Sequence, residues 1–271
     1  MTRPAPPPGA PVVHLYTICW NEAAMLPFFF RHYDPVVHRY VFHDDGSTDG
    51  TLEILRAHPR VEIRPFRRVI ATSYVLSAQK LHETGWQDAR GVADWVIWTA
   101  VDEHLHVPEG GLGPYIAGCH AGGITFAPAM GYQMVADGFP PPDALLCRDY
   151  TQGAPYDLMC KLSLFRPDAI EATGYGVGRH TAAPRGRLVY PAEDALLLLH
   201  YKYLGRDYTA GRNALLATGL GAIDKTYGWG AQYSAGEAAL AAEFADFAAR
   251  AVDITQPPAY PHPLWWRRDR E

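Results

Sequence analysis

Two acidic clusters in the first half of the chain carry residue types that can do chemistry. The first is His43-Asp44-Asp45-Gly46-Ser47-Thr48-Asp49-Gly50. Asp, Gly, Ser and Thr favour turns and cap helices, which accounts for Ser47, Thr48 and Asp49. It accounts less well for Asp44 and Asp45, because adjacent carboxylates repel unless a donor reaches them. A nucleobase N–H or a ribose hydroxyl is such a donor. The second cluster is Asp102-Glu103-His104-Leu105-His106. Side chains alternate along an extended backbone, so Asp102, His104 and His106 are expected on one face and Glu103 on the other. A carboxylate beside imidazoles suits a divalent cation, Mg²⁺ or Mn²⁺, and the nitrogen is better tolerated by Mn²⁺. A structural Asp–His hydrogen bond at a strand end is the plainer alternative.

The elements that must position these clusters alternate in type. Residues 12–18, 39–43, 61–64 and 95–101 are apolar, β-rich runs and predict strands. Between them, residues 22–33, 49–58 and 74–89 predict helices, with Asn21 as N-cap of the first and Ser47 or Thr48 as cap of the second. Strand and helix in that rhythm mean a doubly wound α/β domain with a mostly parallel sheet. Such sheets bind ligands at the carboxyl ends of their strands, where both acidic clusters fall. From residue 107 the pattern loosens, with Gly and Pro dense at 108–114 and 138–142. Residues 195–203 predict a further strand carrying His200, and 234–252 an amphipathic packing helix. The expected organisation is a flexible Pro-rich lead-in at 1–11 and one domain over 12–271. Within it, 12–106 forms a nucleotide-binding half, 107–235 an acceptor half and 236–271 a C-terminal helix and tail.

Composition narrows the classes. A net charge of −5 argues against a nucleic-acid surface, which needs clustered positive charge. The four cysteines form no CxxC pair, so a disulfide framework or structural zinc is not expected and a cytoplasmic setting fits best. No apolar run approaches the roughly 20 residues of a transmembrane helix. Peripheral association with membrane-bound acceptors is compatible with that.

NEAAMLPFFFRHY (21–33), HDDGSTDGT (43–51) and VDEHLHVP (101–108), in that order, resemble glycosyltransferase family 2. The likeness is to the bacterial branch whose fourth strand ends in Asp-x-Asp-Glu-Phe. WQDARGVADWV (86–96), KLSLF (161–165), GRH (178–180) and LHYKYL (199–204) extend it to about residue 235. The resemblance implies the GT-A fold, a Rossmann-like nucleotide-diphospho-sugar transferase architecture, and inverting, metal-assisted transfer from a UDP-sugar to a glycan or lipid-linked acceptor. It assigns Thr17, Asn21, Glu22, Asp44 and Asp45 to the nucleotide, while Lys80 and Arg90 are candidate cations on the separate ground that a departing diphosphate needs its charge neutralised. It assigns Asp102 and His200, with His104 beside them, to Mn²⁺ or Mg²⁺. Glu103, Lys161, His180 and Lys202 become phosphate or acceptor contacts, His180 also competing as a metal ligand and Arg179 as a further cation. Two positions depart from the family pattern: Ala100 stands where the first Asp of Asp-x-Asp is expected, and His104 where the Phe is expected.

Nucleoside diphosphate leaves readily only when its charge is neutralised, by a divalent cation and by Lys or Arg. Inversion needs one base for the acceptor hydroxyl. Asp157 is the candidate, in competition with Asp143 and Asp149, and Trp229 or Tyr233 can stack on a sugar. Two other classes compete: a non-catalytic nucleotide-sugar binder, favoured by Ala100, and a metal-dependent phosphoesterase or nucleotidyltransferase.

Overall fold

The apolar runs of the first hundred residues fold as β1 (Val13–Cys19), α1 (Leu26–Tyr33), β2 (Arg39–Asp44), α2 (Thr51–Arg56), β3 (Val61–Pro65), α3 (Tyr74–Thr84) and β4 (Trp95–Trp98). This is seen in a computed structural model describing residues 4–267. Residues 1–3 of the lead-in and 268–271 of the tail lie outside the described residues. β1 pairs in parallel with both β2 and β4, and β3 pairs in parallel with β2. The chain therefore leaves β1 in both directions, which opens a crevice at the carboxyl ends of β1 and β4.

The remaining chain forms β5 (Glu103–His106), α4 (Leu112–Ala121), β6 (Phe126–Ala136), α5 (Leu146–Asp149), β7 (Gln152–Pro155), β8 (Lys161–Phe165) and β9 (Ile170–Ala172). It ends with β10 (Arg185–Gly186), β11 (Leu197–Leu204), α6 (Arg206–Gly219), α7 (Ala222–Thr226), α8 (Glu237–Arg250) and β12 (Val252–Asp253). β8 inserts antiparallel between β4 and β6, and β11 runs parallel to β6 and antiparallel to β5. The result is an α/β fold with one large mixed sheet flanked by helices, compatible with a Rossmann-like arrangement. β1, β2, β3, β4, β6 and β11 all point the same way, so their carboxyl ends share one edge.

Period-two alternation explains why the parallel strands are apolar throughout. Leu15, Tyr40 and Phe42 face α1, whose Leu26, Phe28, Phe29, Phe30 and Tyr33 are all buried. Tyr16, Val41 and Trp98 face the other way, where Tyr16 and Trp98 stack at 5.6 Å. Each such fully buried large side chain contributes about 1.5–3 kcal/mol.

Several local expectations are corrected. Asn21 does not cap α1, whose N-cap is Met25; its backbone is left-handed (φ 53°) and its side chain reaches across to the second loop. α2 is capped at Gly50 with no side-chain bond from Ser47 or Thr48. Asp49 Oδ1 instead accepts from Thr51 N at 2.9 Å. The predicted helix at 74–89 stops at Thr84 and resumes as a short 3-10 turn, Gln87–Ala89. β4 ends at Trp98, so Asp102 lies in a turn rather than on a strand.

His14, His32 and His43 are built into this core with depressed pKa values. Burial lowers each to about 4, helped at His14 by Arg39 and at His43 by Arg64. Below about pH 6.5 an unfolded chain takes up protons that these folded rings refuse, so stability is expected to fall from pH 6.5 toward 4. Urea midpoints at pH 7 and pH 5 test this; equal midpoints would contradict it.

Candidate functional site

The first acidic cluster satisfies itself from within the chain. Asp44 accepts from Gly46 N at 3.0 Å and from Ser47 N, closing the turn. Asp45 takes a two-pronged bond from Arg68, with Nη2 at 2.6 Å from Oδ2 and Nε at 3.2 Å from Oδ1. The repulsion expected between neighbouring carboxylates is therefore relieved by Arg68 without a ligand. Arg68 also donates to Gly219 O, which ties the loop after β3 to the end of α6. Asn21 Oδ1 accepts from Thr48 N at 2.7 Å, stitching the loops after β1 and β2 together. Glu22 pairs with Arg212, whose guanidinium also donates to Trp20 O and Asn21 O. Thr17 is fully buried in β1.

Segment 219–226 closes this side of the crevice. Asp224 accepts from Ser73 Oγ and from Tyr74 N, capping α3 from outside it. Gly221 is required there, since a Cβ would lie 2.1 Å from Thr72 O. α6 and α7 thus form a wall beside Asp45 and Glu22.

The second cluster supplies the pair with chemical potential. The main chain turns at residues 101–102, and Tyr201 N donates to Asp102 O at 2.8 Å, which brings β11 against the turn. Asp102 Oδ2 then faces His200 Nε2 at 3.3 Å, with side-chain exposures of 27% and 11% that leave both open to the crevice. The ring's other nitrogen, Nδ1, is 2.7 Å from Gln133 Oε1. Burial raises the Asp102 pKa, but the adjacent His200 outweighs it and holds the carboxyl below its ordinary value. Lys202, two residues on along β11, packs its ammonium 5.1 Å from the Tyr203 ring and 5.5 Å from that of Tyr233. Burial lowers its pKa, and among the described residues it forms no ion pair. Burial followed by the charge of Asp102 raises the Tyr233 pKa, so Tyr233 belongs to the same neighbourhood.

Other expected members stand elsewhere. His104 was expected to share a face with Asp102. It is fully buried instead, stacked on His32 at 4.7 Å and edge-on to Tyr201, because β5 begins only at Glu103 and turns that ring into the α1 core. Glu103 and Lys161, expected as phosphate or acceptor contacts, are paired with each other in the interior. Glu103 bonds Lys161 Nζ at 2.6 Å and Arg179 Nη2 at 2.5 Å, all three within a few per cent of complete burial. Glu103 Oε2 also accepts from Ala100 N at 3.0 Å, so this triad holds the turn that carries Asp102. Arg90 braces the carbonyls of Ile170 and Glu171 and lies just before β4, at the opposite edge from the crevice. Lys80 is exposed midway along α3.

On the far side, His180 Nδ1 donates to Leu158 O at 2.6 Å, and burial lowers its pKa to about 4. Asp157 is exposed on the adjoining 3-10 turn, where its Oδ1 accepts from Leu158 N. Its competitor Asp149 is engaged by Arg148 at 2.7 Å. Tyr233 lines a cleft of about 590 Å³ with Asn213, Ser234 and Glu237, whereas Trp229 stacks on Tyr227.

Among the described residues, no group of three or more His, Cys, Asp or Glu is arranged to hold a metal ion. Asp102 and His200 are a two-donor pair. Three contributors escaped sequence reasoning: Gln133, Arg68 and Arg212. Only Gln133 left a local trace, as an amide within the otherwise apolar run Ala129–Val135 of β6. No protein-family model matches the chain, and no curated protein matches it. No helix among the described residues is long and apolar enough to cross a membrane.

Proposed function

We propose that the chain is a glycosyltransferase of the GT-A type, transferring a sugar from a UDP-sugar to a hydroxyl acceptor with inversion. The observation that carries this reading is the facing of Asp102 Oδ2 and His200 Nε2 at 3.3 Å, where the turn after β4 meets the middle of β11. A carboxylate oxygen and an imidazole nitrogen fit Mn²⁺ or Mg²⁺. Two protein donors are enough where substrate phosphates complete the coordination, as is usual for Mg²⁺. When bound, the ion supplies Lewis acidity that neutralises charge on the departing diphosphate.

The chain's own residues perform the rest. Lys202, which forms no ion pair among the described residues, provides a positive charge beside Asp102 for the diphosphate. The loops stitched by Asn21, with Asp45, Arg68, Glu22 and Arg212, hold the nucleoside, where Arg68 can keep Asp45 aimed at a base N–H. Asp157 takes the acceptor hydroxyl proton while the acceptor oxygen bonds the sugar carbon. The bond from that carbon to the diphosphate oxygen breaks, and its electron pair leaves with UDP. On this reading Asp45→Ala weakens UDP binding by about 10-fold even in EDTA, the loss of roughly one charge-assisted hydrogen bond. Calorimetry checks it, and equal affinities would reduce Asp45 to a partner of Arg68.

The reaction class is tested in H₂¹⁸O with UDP-sugars and Mn²⁺. A glycosyltransferase without acceptor slowly hydrolyses the donor at the sugar carbon, so the label enters the sugar. Label in the phosphate instead identifies a phosphoesterase. Tight UDP-sugar binding with no turnover under any acceptor supports the non-catalytic binder that Ala100 favours.

A further inference from the structure

Gln133 sits in the middle of β6 between Tyr132 and Met134, itself 3% exposed. A primary amide in a buried strand is costly unless its polar atoms are paired. In the parallel pairing of β6 with β11, Gln133 lies directly across from His200, and the register shifts immediately afterwards. Residues opposite one another in a sheet project to the same face, so strand pairing itself brings the amide to the imidazole, at 2.7 Å between Oε1 and Nδ1.

The consequence is chemical. An amide oxygen only accepts, so Nδ1 of His200 carries a proton, and whenever the ring is neutral the lone pair of Nε2 points at Asp102 Oδ2. Two acceptors then face each other at 3.3 Å, an arrangement that a cation between them turns from unfavourable to favourable. A neutral amide achieves this without adding negative charge. With one carboxylate in the pair, a divalent ion there keeps net positive charge for a diphosphate.

We propose that Gln133 is a positioning residue that fixes the orientation and tautomer of His200 for divalent-cation binding. The inference rests on the metal-assisted reading of the Asp102–His200 pair. Outer-shell partners of metal-bound histidines are worth about 10–100-fold in metal affinity.

The test is Mn²⁺ affinity by electron paramagnetic resonance at saturating UDP, with thermal stability followed in parallel. Gln133→Met, nearly the same shape but unable to accept, is expected to weaken Mn²⁺ binding by about 10–100-fold. Gln133→Glu, which still accepts, is expected to retain or tighten it while weakening UDP, because a second carboxylate opposes the diphosphate. A Gln133→Met protein with wild-type Mn²⁺ affinity and only a lower Tm makes Gln133 merely structural and overturns the inference. Loss of Mn²⁺ in Gln133→Glu also overturns it, because the amide then acts as a donor. Should Gln133→Met not fold, Gln133→Glu decides alone. Failure of the underlying reading is separately visible: either the wild-type protein binds no Mn²⁺ with UDP, or Asp102→Asn binds it unchanged.

Discussion

Asp102→Ala is expected to abolish Mn²⁺-dependent UDP binding while leaving the fold intact. The carboxylate is one of two facing donors, at 3.3 Å from His200. Removing a direct donor should cost more than the roughly 10–100-fold that outer-shell partners alone are worth. The fold should tolerate the change for two reasons. The side chain is 27% exposed in a turn, and the turn's bond to β11 uses the Asp102 carbonyl, which alanine keeps. Titrating UDP into wild-type and variant protein with Mn²⁺ measures the loss, and circular dichroism checks the fold. Unchanged affinity would remove Asp102 from the metal assignment.

Its neighbour should behave in the opposite way. Glu103→Ala is expected to destabilise the protein by about 3–5 kcal/mol, because it leaves the Lys161 and Arg179 charges buried without their partner. The substitution also frees Ala100 N and loosens the turn beneath Asp102. Arg179 gives a further reason: its φ of 57° is a left-handed conformation that costs a non-glycine residue about 1–3 kcal/mol and is held by the triad. Burial raises the Glu103 pKa, but Lys161 and Arg179 outweigh it and keep the carboxyl well below its ordinary range. The sign follows. This stabilisation is fully present above the ordinary carboxylate range and is lost progressively as pH falls from there toward that lowered value. The expected loss of stability between pH 6.5 and 4 therefore belongs to the buried histidines, and Glu103→Ala should lower denaturant midpoints at pH 7 and pH 5 alike. A change of under about 1 kcal/mol would place the triad among ion pairs of little net worth.

The contrast between Asp102 and Glu103 marks how far sequence carries. Strand–helix alternation over residues 12–98 was legible because both faces of a parallel sheet bury apolar side chains, and so was the position of the acidic runs beyond the carboxyl ends of its strands. The extended-strand alternation assumed for Asp102, His104 and His106 failed, since β4 stops at Trp98 and a turn intervenes before β5. That turn separates Asp102, open to the crevice, from His104 in the core. Which charges are spent was also illegible. Lys161 with Glu103, and Arg68 with Asp45, are joined by folding across long stretches of chain, and no local pattern announces them. His200 could be singled out only by the resemblance. What aligns it, Gln133, depends on the register of β6 against β11.

The proposed metal-dependent nucleotide site lies where the turn after β4 meets His200 of β11. The most direct test is calorimetric binding of UDP, GDP and dTDP to the wild-type protein, with Mn²⁺ and with EDTA. Micromolar binding of UDP that weakens strongly in EDTA is the expected result. No binding of any nucleotide under either condition would contradict the account.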